Sequence, residues 1–194
     1  MRTIIEFMQL SRETIVDAAL LILDEYGLQD LSIRRLAKQL DVAAGAMYWH
    51  FPSKQALLGG IADRLLAPLS RPSLIDVATT DQWRSKAAQF ADTFHRCLTS
   101  HRDGAEVVSA ALATRTASAD PAALLQQILG AADLAISPKH AAETLIYFIL
   151  GATVDEQTAE NLAAADPSKS NDGAAHHKRI ATGIDIILAG TSAV

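Results

Sequence analysis

The residues best suited to contact a polyanion lie within positions 32–54 of this sequence. Four residues of this segment are basic and only Asp41 is acidic, a net charge of +3, against −5 for the whole chain. The small residues Ala44-Gly45-Ala46 come just before Tyr48-Trp49-His50. Small side chains let a backbone approach a ligand closely, while phenol, indole and imidazole groups donate hydrogen bonds to anionic oxygens. This combination predicts a contact with nucleic acid.

Two short predicted helices position these residues. Ser32 is placed to cap the first helix, in which Leu36 can pack back onto Leu31. A turn over 41–43 separates it from a second helix over 44–50. Phe51-Pro52 ends the second helix, because a residue before proline is pushed out of helical space. Two short helices joined by a tight turn, with basic residues outside, are the layout of a helix-turn-helix DNA reader.

In that layout the second helix enters the major groove, where small residues permit close approach and alanine methyls can meet thymine methyls. Arg34 can reach a guanine edge as a fork, and the polar aromatics with Lys54 can donate to phosphates. An equally good interpretation places Tyr48 and Trp49 in the core. Arg35 and Lys38 are interpreted as a solvated helix face. The predicted DNA contacts are Ser32, Arg34, Ala44, Gly45, Ala46, Tyr48, Trp49, His50 and Lys54.

The rest of the chain predicts helices and no strand, so the expected fold class is all-α. With 194 residues, 49% hydrophobic and 20% charged, the chain is long and apolar enough to bury a substantial core. The domains expected are a helix-turn-helix DNA-binding domain over 1–55 and a larger helical ligand-binding and dimerisation domain over 56–194. Apolar spacing predicts helices from the Ser11 cap to Gly27 and from the Ser53 cap to Pro68, and then over 81–100, 104–119, 121–136, 138–165 and 176–188, with a polar loop over 166–175.

Composition and motifs disfavour several other classes of protein. A single cysteine, Cys97, gives no intrachain disulfide and no paired-cysteine metal cluster, which favours a reducing cytoplasm. The first ten residues do not form a targeting signal, and the longest apolar run, 145–154, is about half of a membrane span. The six histidines lack the spacing of a zinc hydrolase. An enzyme or a helical scaffold remains as an alternative, although a scaffold would leave segment 32–54 without a role.

Beyond the residue chemistry, several segments resemble the tetracycline repressor family, and the tetracycline repressors in particular. In the first part of the chain these are LSIRRLAKQLDV, MYWHF and SKQALL, at 31–42, 47–51 and 53–58. In the second part they are SHRDGAEV, FILGATVDEQ and GIDIILAG, at 100–107, 148–157 and 183–190. The resemblance implies an all-helical, homodimeric repressor whose last two long helices form the dimer. It also implies that a small-molecule inducer releases the protein from a palindromic double-stranded DNA operator.

The same resemblance places the ligand pocket, where this sequence departs from the tetracycline repressors. Val108 and Ser70 stand at histidine positions of the metal-chelate site, Phe90 at an asparagine position, and Asp155 at a metal-linked glutamate position. Because Mg²⁺ prefers oxygen ligands, this set predicts an apolar pocket without metal or cofactor. For its apolar members, plain core packing is the alternative. The predicted ligand residues are Ser70, Phe90, Phe94, Val108, Leu112, Phe148 and Asp155.

Overall fold

The structure, a computed structural model, describes residues 10–166 and 173–191, and its regular elements there are helices. The predicted all-α class is therefore confirmed. Within the described residues there are ten α-helices, with short 3-10 turns at Ala67–Ser70 and Thr80–Gln82. The α-helices are α1 Arg12–Tyr26, α2 Ile33–Gln39, α3 Ala44–His50, α4 Lys54–Leu66, α5 Pro72–Ile75, α6 Trp83–Thr99, α7 Gly104–Ala113, α8 Pro121–Leu129, α9 Pro138–Ala165 and α10 Gly173–Gly190.

Serine side chains begin the first, second and fourth helices, as the sequence predicts. The Ser11 hydroxyl accepts the Thr14 N–H at 3.1 Å, and the Thr14 hydroxyl oxygen accepts the Ser11 N–H at 2.9 Å. Ser32 accepts the Arg35 N–H at 3.2 Å, and Ser53 accepts the Ala56 N–H at 3.1 Å. Each cap satisfies a backbone donor that has no partner within the helix. The starts of α1, α2 and α4 thus follow from local chemistry.

Helix α4 joins the N-terminal helices to the rest of the fold. It packs against α1 on one side and against α6 and α7 on the other. A Cβ on Gly59 would stand 2.2 Å from the Thr116 carbonyl oxygen, so only glycine allows this approach of α4 to the chain after α7. The Asp63 carboxylate accepts the N–H groups of Ser118 and Ala119 at 2.7 and 3.0 Å. A shift of α4 therefore disturbs both halves of the molecule.

The larger core is built around α6 and α9. Phe90, Phe94 and Leu98 of α6 are fully buried, as are Leu145 and Ile149 of α9. Helices α7, α8 and α10 pack around this pair. Buried apolar area is the main favourable contribution to folding, so this arrangement accounts for most of the stability of the larger half.

One pair of titratable side chains lies inside this core. The Nε2 atom of His95 and the Glu156 carboxylate are 2.6 Å apart, and both residues are at least 93% buried. The His177 ring lies 5.6 Å from the His95 ring, so the contact joins α6, α9 and α10. Buried polar groups need partners, and here each supplies the other.

Two predicted helices are shorter than the sequence suggested. The helix predicted over 104–119 ends at Ala113, because the Thr114 hydroxyl bonds the Ala110 carbonyl and Arg115 takes a φ of +54°. The helix predicted over 121–136 ends at Leu129, where the Gly130 N–H bonds the Gln126 carbonyl. Beyond it, the Ala135 N–H reaches the Thr191 carbonyl at 3.1 Å and ties this segment to the end of α10. Beyond both helix ends, the chain makes tertiary hydrogen bonds instead of helical ones, from the Ser118 N–H to Asp63 and from the Ala135 N–H to Thr191.

The prediction for the last part of the chain is partly corrected. Residues 173–175 belong to α10, whereas the sequence assigned them to a polar loop over 166–175. Positions 167–172 of that loop lie outside the described residues, as do positions 1–9 of the segment considered for targeting. Helix α9 over Pro138–Ala165 matches its prediction. Among the described residues, none of the helices has the length and apolar character needed to cross a bilayer.

Candidate nucleic-acid interface and ligand region

The two adjacent arginines of α2 differ in their contacts. The Arg35 guanidinium lies 3.7 Å from the centre of the Tyr26 ring and 2.6 Å from the Asp30 carboxylate. Arg34 is exposed and makes no hydrogen bond or ion pair to the part of the chain that the structure describes. Cation–π contact and an ion pair hold Arg35 on the protein. Arg34 is therefore the arginine that is free to reach a ligand.

A left-handed residue forms the turn between α2 and α3. Asp41 has a φ of +53°, a conformation that aspartate tolerates better than most residues. The chain then bends so that the Val42 N–H bonds the Ala37 carbonyl at 3.0 Å. Helix α3 begins at Ala44 without a side-chain cap. No capping side chain therefore covers the start of α3, where the small residues lie.

Helix α3 has a buried side and an exposed side. Met47 and the following Phe51 are fully buried, and they anchor the helix. Trp49 is 91% exposed and Tyr48 is 51% exposed, so the interpretation of these two as core residues is wrong for this chain. An indole exposed to this degree contributes almost nothing to packing and leaves its N–H available to a ligand. His50 is half-buried at the end of the helix.

Sequence reasoning missed Arg12, which fixes the end of α3 to α1. Its guanidinium donates to the His50 carbonyl at 2.5 Å and lies 4.1 Å from the centre of the Phe51 ring. The residue pair is 38 positions apart, and no local pattern signals it. Arg12 satisfies a carbonyl at the helix end and so positions the segment that bears Tyr48 and Trp49.

Lys54 stands at the first position of α4, directly after the Ser53 cap. Its ammonium is 3.4 Å from the Leu28 carbonyl, a long hydrogen bond, and the residue is exposed. A cation on a flexible stem with one weak partner can turn to a phosphate at little cost. The structure thus leaves Lys54 available for the contact predicted from sequence.

Gly45 offers a direct test of close approach by DNA. A Cβ built on Gly45 meets no atom within 4 Å, so Gly45→Ala has room in the protein. We expect this variant to be as stable as the parent or up to about 1 kcal/mol more stable, since alanine is the better helix former. We expect its operator affinity to fall several-fold, because the added methyl would push the backbone away from the groove. Thermal unfolding and operator titration of the same sample measure both; an unchanged affinity would count against contact at Gly45.

The seven predicted ligand residues do not share one environment in the single chain. Phe90, Phe94 and Val108 are fully buried, and Leu112 and Phe148 are half-buried. Ser70 is exposed at the end of the 3-10 turn, and the Asp155 side chain is 79% exposed, 4.0 Å from His176. Leu112 lines two surface grooves near Tyr147. Whether these residues bind a ligand therefore remains a prediction.

The structure also shows contacts between the end of α1 and the larger core, at the turn between α6 and α7. The Asp103 carboxylate accepts the Leu28 N–H at 2.8 Å and, through its other oxygen, the Asn161 amide at 2.6 Å. Gly27 is required beside it, since its φ is +81° and a Cβ would stand 2.9 Å from Asp103. We call Asp103, Leu28 and Asn161 the Asp103 bridge. It connects the end of α1 to α9 through the turn between α6 and α7.

Two further contacts support the Asp103 bridge. The Asp24 carboxylate of α1 contacts Nδ1 of His101 at 2.9 Å and accepts the Arg102 N–H at 3.2 Å. The Gln157 amide of α9 accepts the Ala105 N–H at 3.0 Å and donates to the carbonyls of residues 98 and 101. The turn at 101–103 is therefore held from both sides. A movement of α9 can reach the end of α1 through it.

The chain is similar to known bacterial regulatory proteins. The family model described as "Bacterial regulatory proteins, tetR family" matches residues 15–61. The class A tetracycline repressor protein from transposon 1721 of Escherichia coli is 34% identical over 157 residues, which cover 79% of this chain and 70% of the relative. The match to the family model includes α2 and α3. The match to the class A protein extends the likeness well beyond them.

Solved structures extend the likeness over nearly the whole chain. BioQ of Mycobacterium smegmatis superposes with a TM-score of 0.81 at 35% identity, covering 94% of this chain and 97% of BioQ. BioQ with its natural double-stranded DNA operator gives 0.76 at 33%, with coverages of 96% and 100%. A TetR variant from Acinetobacter baumannii AYE in complex with minocycline gives 0.73 at 28%, with coverages of 94% and 96%. These relatives share both the helix-turn-helix and the helical core.

Proposed function

This chain belongs to the tetR family of bacterial regulatory proteins, and we propose that it is a transcriptional repressor that a small molecule releases from a palindromic DNA operator. The observation that carries the proposal is the exposed surface of α2 and α3. There Arg34, Gly45, Tyr48 and Trp49 are uncovered on helices whose inner faces are buried. The class A tetracycline repressor protein, whose match covers 79% of this chain, is a repressor by name, and this supports regulation over catalysis.

We assign the nine predicted contacts to four tasks. Ala44, Gly45 and Ala46 allow entry into the major groove, and Arg34 reads a base edge. Tyr48, Trp49, His50 and Lys54 donate to phosphates, which fixes the register of the protein on the duplex. Ser32 caps α2 and so positions Arg34. Few hydrogen-bonding groups face the bases, which leaves methyl contacts and DNA shape as the main sources of specificity.

The assembly we propose is a homodimer formed through α9 and α10. In the single chain, Tyr147 of α9 is 71% exposed, Leu162 of α9 51% and Ile186 of α10 67%. Gly151 and Gly190 have no atom within 4 Å of a built Cβ, so both helices keep room for a close neighbour. Apolar residues and small residues on two adjacent helices are suited to a helix-on-helix interface. A two-fold dimer matches a palindromic operator.

For the ligand, we propose a small apolar or amphipathic molecule bound without metal in the helical domain. The chemistry of the predicted set supports this, since Val108, Phe90 and Phe94 offer no oxygen ligand. Within the described residues, no group of three or more histidine, cysteine or acidic side chains is arranged to hold a metal ion. We place the domain boundary at residue 55, in the first turn of α4. This helix would then carry ligand-induced movement to the DNA-reading helices.

The proposed function is tested by comparing Arg34→Ala with Lys54→Ala on DNA. We expect Arg34→Ala to cost about 1–3 kcal/mol on the operator and to relax preference at one base pair, because it removes a base contact. We expect Lys54→Ala to weaken operator and scrambled duplexes alike and to reduce the salt dependence, because it removes a phosphate contact. Fluorescence anisotropy across a salt series, first with DNA flanking the gene, measures both.

Two outcomes would contradict parts of the proposal. If Arg34→Ala lowers the affinity for operator and for scrambled DNA equally, Arg34 does not read a base. Absence of any DNA binding by the parent protein at low salt would overturn the repressor function itself. Lys139→Ala, at an exposed lysine on α9, serves as the matched control for the loss of one positive charge.

A further inference from the structure

A groove separate from the predicted pocket lies where the end of α4 meets α5 and α6. Its volume is about 360 Å³, within the range of small-molecule sites. None of the residues that line it is acidic. We call it the Arg71–Arg96 groove, and its principal lining residues are Leu65, Leu74, Arg71, Thr93, Arg96 and Cys97.

The two arginines give this groove a positive rim. Arg71 makes no hydrogen bond or ion pair to the residues the structure describes. The Arg96 Nε lies 3.0 Å from the Asp92 carboxylate, and its Nη2 donates to the Thr93 hydroxyl at 3.2 Å. Asp92 offsets part of the Arg96 charge and, with Thr93, holds the guanidinium in place. The free cation of the groove is therefore Arg71.

A third basic residue adds to this charge. The Lys86 ammonium donates to the carbonyl of Ser73, a lining residue, at 2.6 Å. Two basic side chains thus line the groove and a third contacts one of its lining residues, while Asp92 compensates part of the charge of Arg96. Such a field favours an anionic occupant.

The floor of the groove is apolar. Leu65, Leu74 and Cys97 are between 5% and 6% exposed. Burial raises the pKa of the Cys97 thiol, while the charges of Arg96 and Arg71 act in the opposite direction. The buried thiol therefore stays neutral and serves as an apolar surface. Positive charge stands directly beside an apolar floor.

We propose that the Arg71–Arg96 groove binds a small amphipathic carboxylate, whose carboxylate pairs with Arg71 and Arg96 and whose apolar body lies on Leu65, Leu74 and Cys97. The guanidinium fork matches a carboxylate geometrically and can bind both oxygens. The groove uses positions 93, 96 and 97 of α6, whereas Phe90 and Phe94 of the predicted pocket are buried in the core. It is therefore a second site.

The groove is positioned to influence the DNA-reading helices. Leu65 belongs to α4, and the preceding Arg64 pairs with Asp17 of α1 at 2.6 Å. An occupant held between α4 and α6 would fix the position of α4. This regulatory role rests on the proposed function, whereas the binding itself does not.

Isothermal titration calorimetry with octanoate tests the binding. We expect octanoate to bind the parent protein, and octanamide to bind at least about tenfold more weakly, because the charge-assisted bonds are lost. We expect Arg71→Gln to weaken octanoate by about tenfold or more, while Lys139→Gln, which removes an exposed charge elsewhere, leaves it unchanged. Since Arg71 is exposed, its replacement leaves the fold intact.

Two results would overturn the site: equal octanoate affinity for Arg71→Gln and the parent, or no octanoate binding at millimolar concentration. Operator binding is measured on the same preparations. Its absence would count against the proposed function and not against the groove, so the two failures are distinguishable.

Discussion

The double variant Tyr48→Ala/Trp49→Ala should lose about a thousandfold in operator affinity while its unfolding temperature stays unchanged. A dimer carries each residue twice, so the variant removes four donors to phosphate. At about 1 kcal/mol for each hydrogen bond the loss is about 4 kcal/mol, and each 1.4 kcal/mol is tenfold in affinity. Stability should be unaffected because Trp49 is 91% and Tyr48 51% exposed.

Anisotropy titration of the operator and thermal unfolding of the same samples check this expectation. Leu21→Ala is the matched control, since Leu21 is a large apolar residue of α1 that is 62% exposed. It should change neither quantity. A drop in the unfolding temperature of the double variant would show that Tyr48 and Trp49 contribute to packing. An unchanged operator affinity would show that they do not contact DNA.

The helix-turn-helix could be predicted from sequence because its bounds depend on neighbouring residues. Ser32 and Ser53 cap helices through bonds that span three positions, and Phe51-Pro52 ends α3 by local sterics. The exposure of Trp49 could not be decided this way. It depends on the packing of Met47 and Phe51 and on Arg12, which reaches the end of α3 from 38 positions away.

Helix ends in the larger domain were harder to predict for a related reason. The apolar spacing continues beyond Ala113, but Arg115 takes a left-handed φ and the Asp63 carboxylate accepts the N–H groups of Ser118 and Ala119. These bonds join residues more than 50 positions apart. Apolar periodicity indicates which face of a helix is buried, but it does not indicate where a distant carboxylate will end that helix.

The ligand region shows a different limit of sequence reasoning. A phenylalanine such as Phe94 has the same burial whether it packs the core or lines a pocket that opens for a ligand. Alignment with a family points to such positions but does not distinguish these roles. The groove at Arg71 and Arg96 had no motif in the sequence, because its lining comes from three helices and a turn brought together by the fold.

The Asp103 bridge leads to the second large expected effect, a loss of about 3 kcal/mol of unfolding free energy in Asp103→Ala. The variant leaves the N–H of buried Leu28 and the Asn161 amide without their acceptor, at about 1 kcal/mol or more each. It also places alanine at a φ of +55°, which costs about 1 kcal/mol more. For a chain of this size the unfolding temperature should fall by about 6–12 °C. Chemical and thermal unfolding measure the loss.

We also expect Asp103→Ala to loosen the connection between α1 and α9, which amide hydrogen exchange can detect. Exchange in α1 should accelerate more than exchange in α7, because Asp103 is the residue that ties Leu28 to Asn161. Asp103→Asn, which keeps one acceptor oxygen, should fall between the parent and Asp103→Ala. Asp17→Ala removes only a surface ion pair with Arg64 and should cost no more than about 1 kcal/mol. If Asp103→Ala behaves like Asp17→Ala in both measurements, Asp103 does not couple α9 to α1.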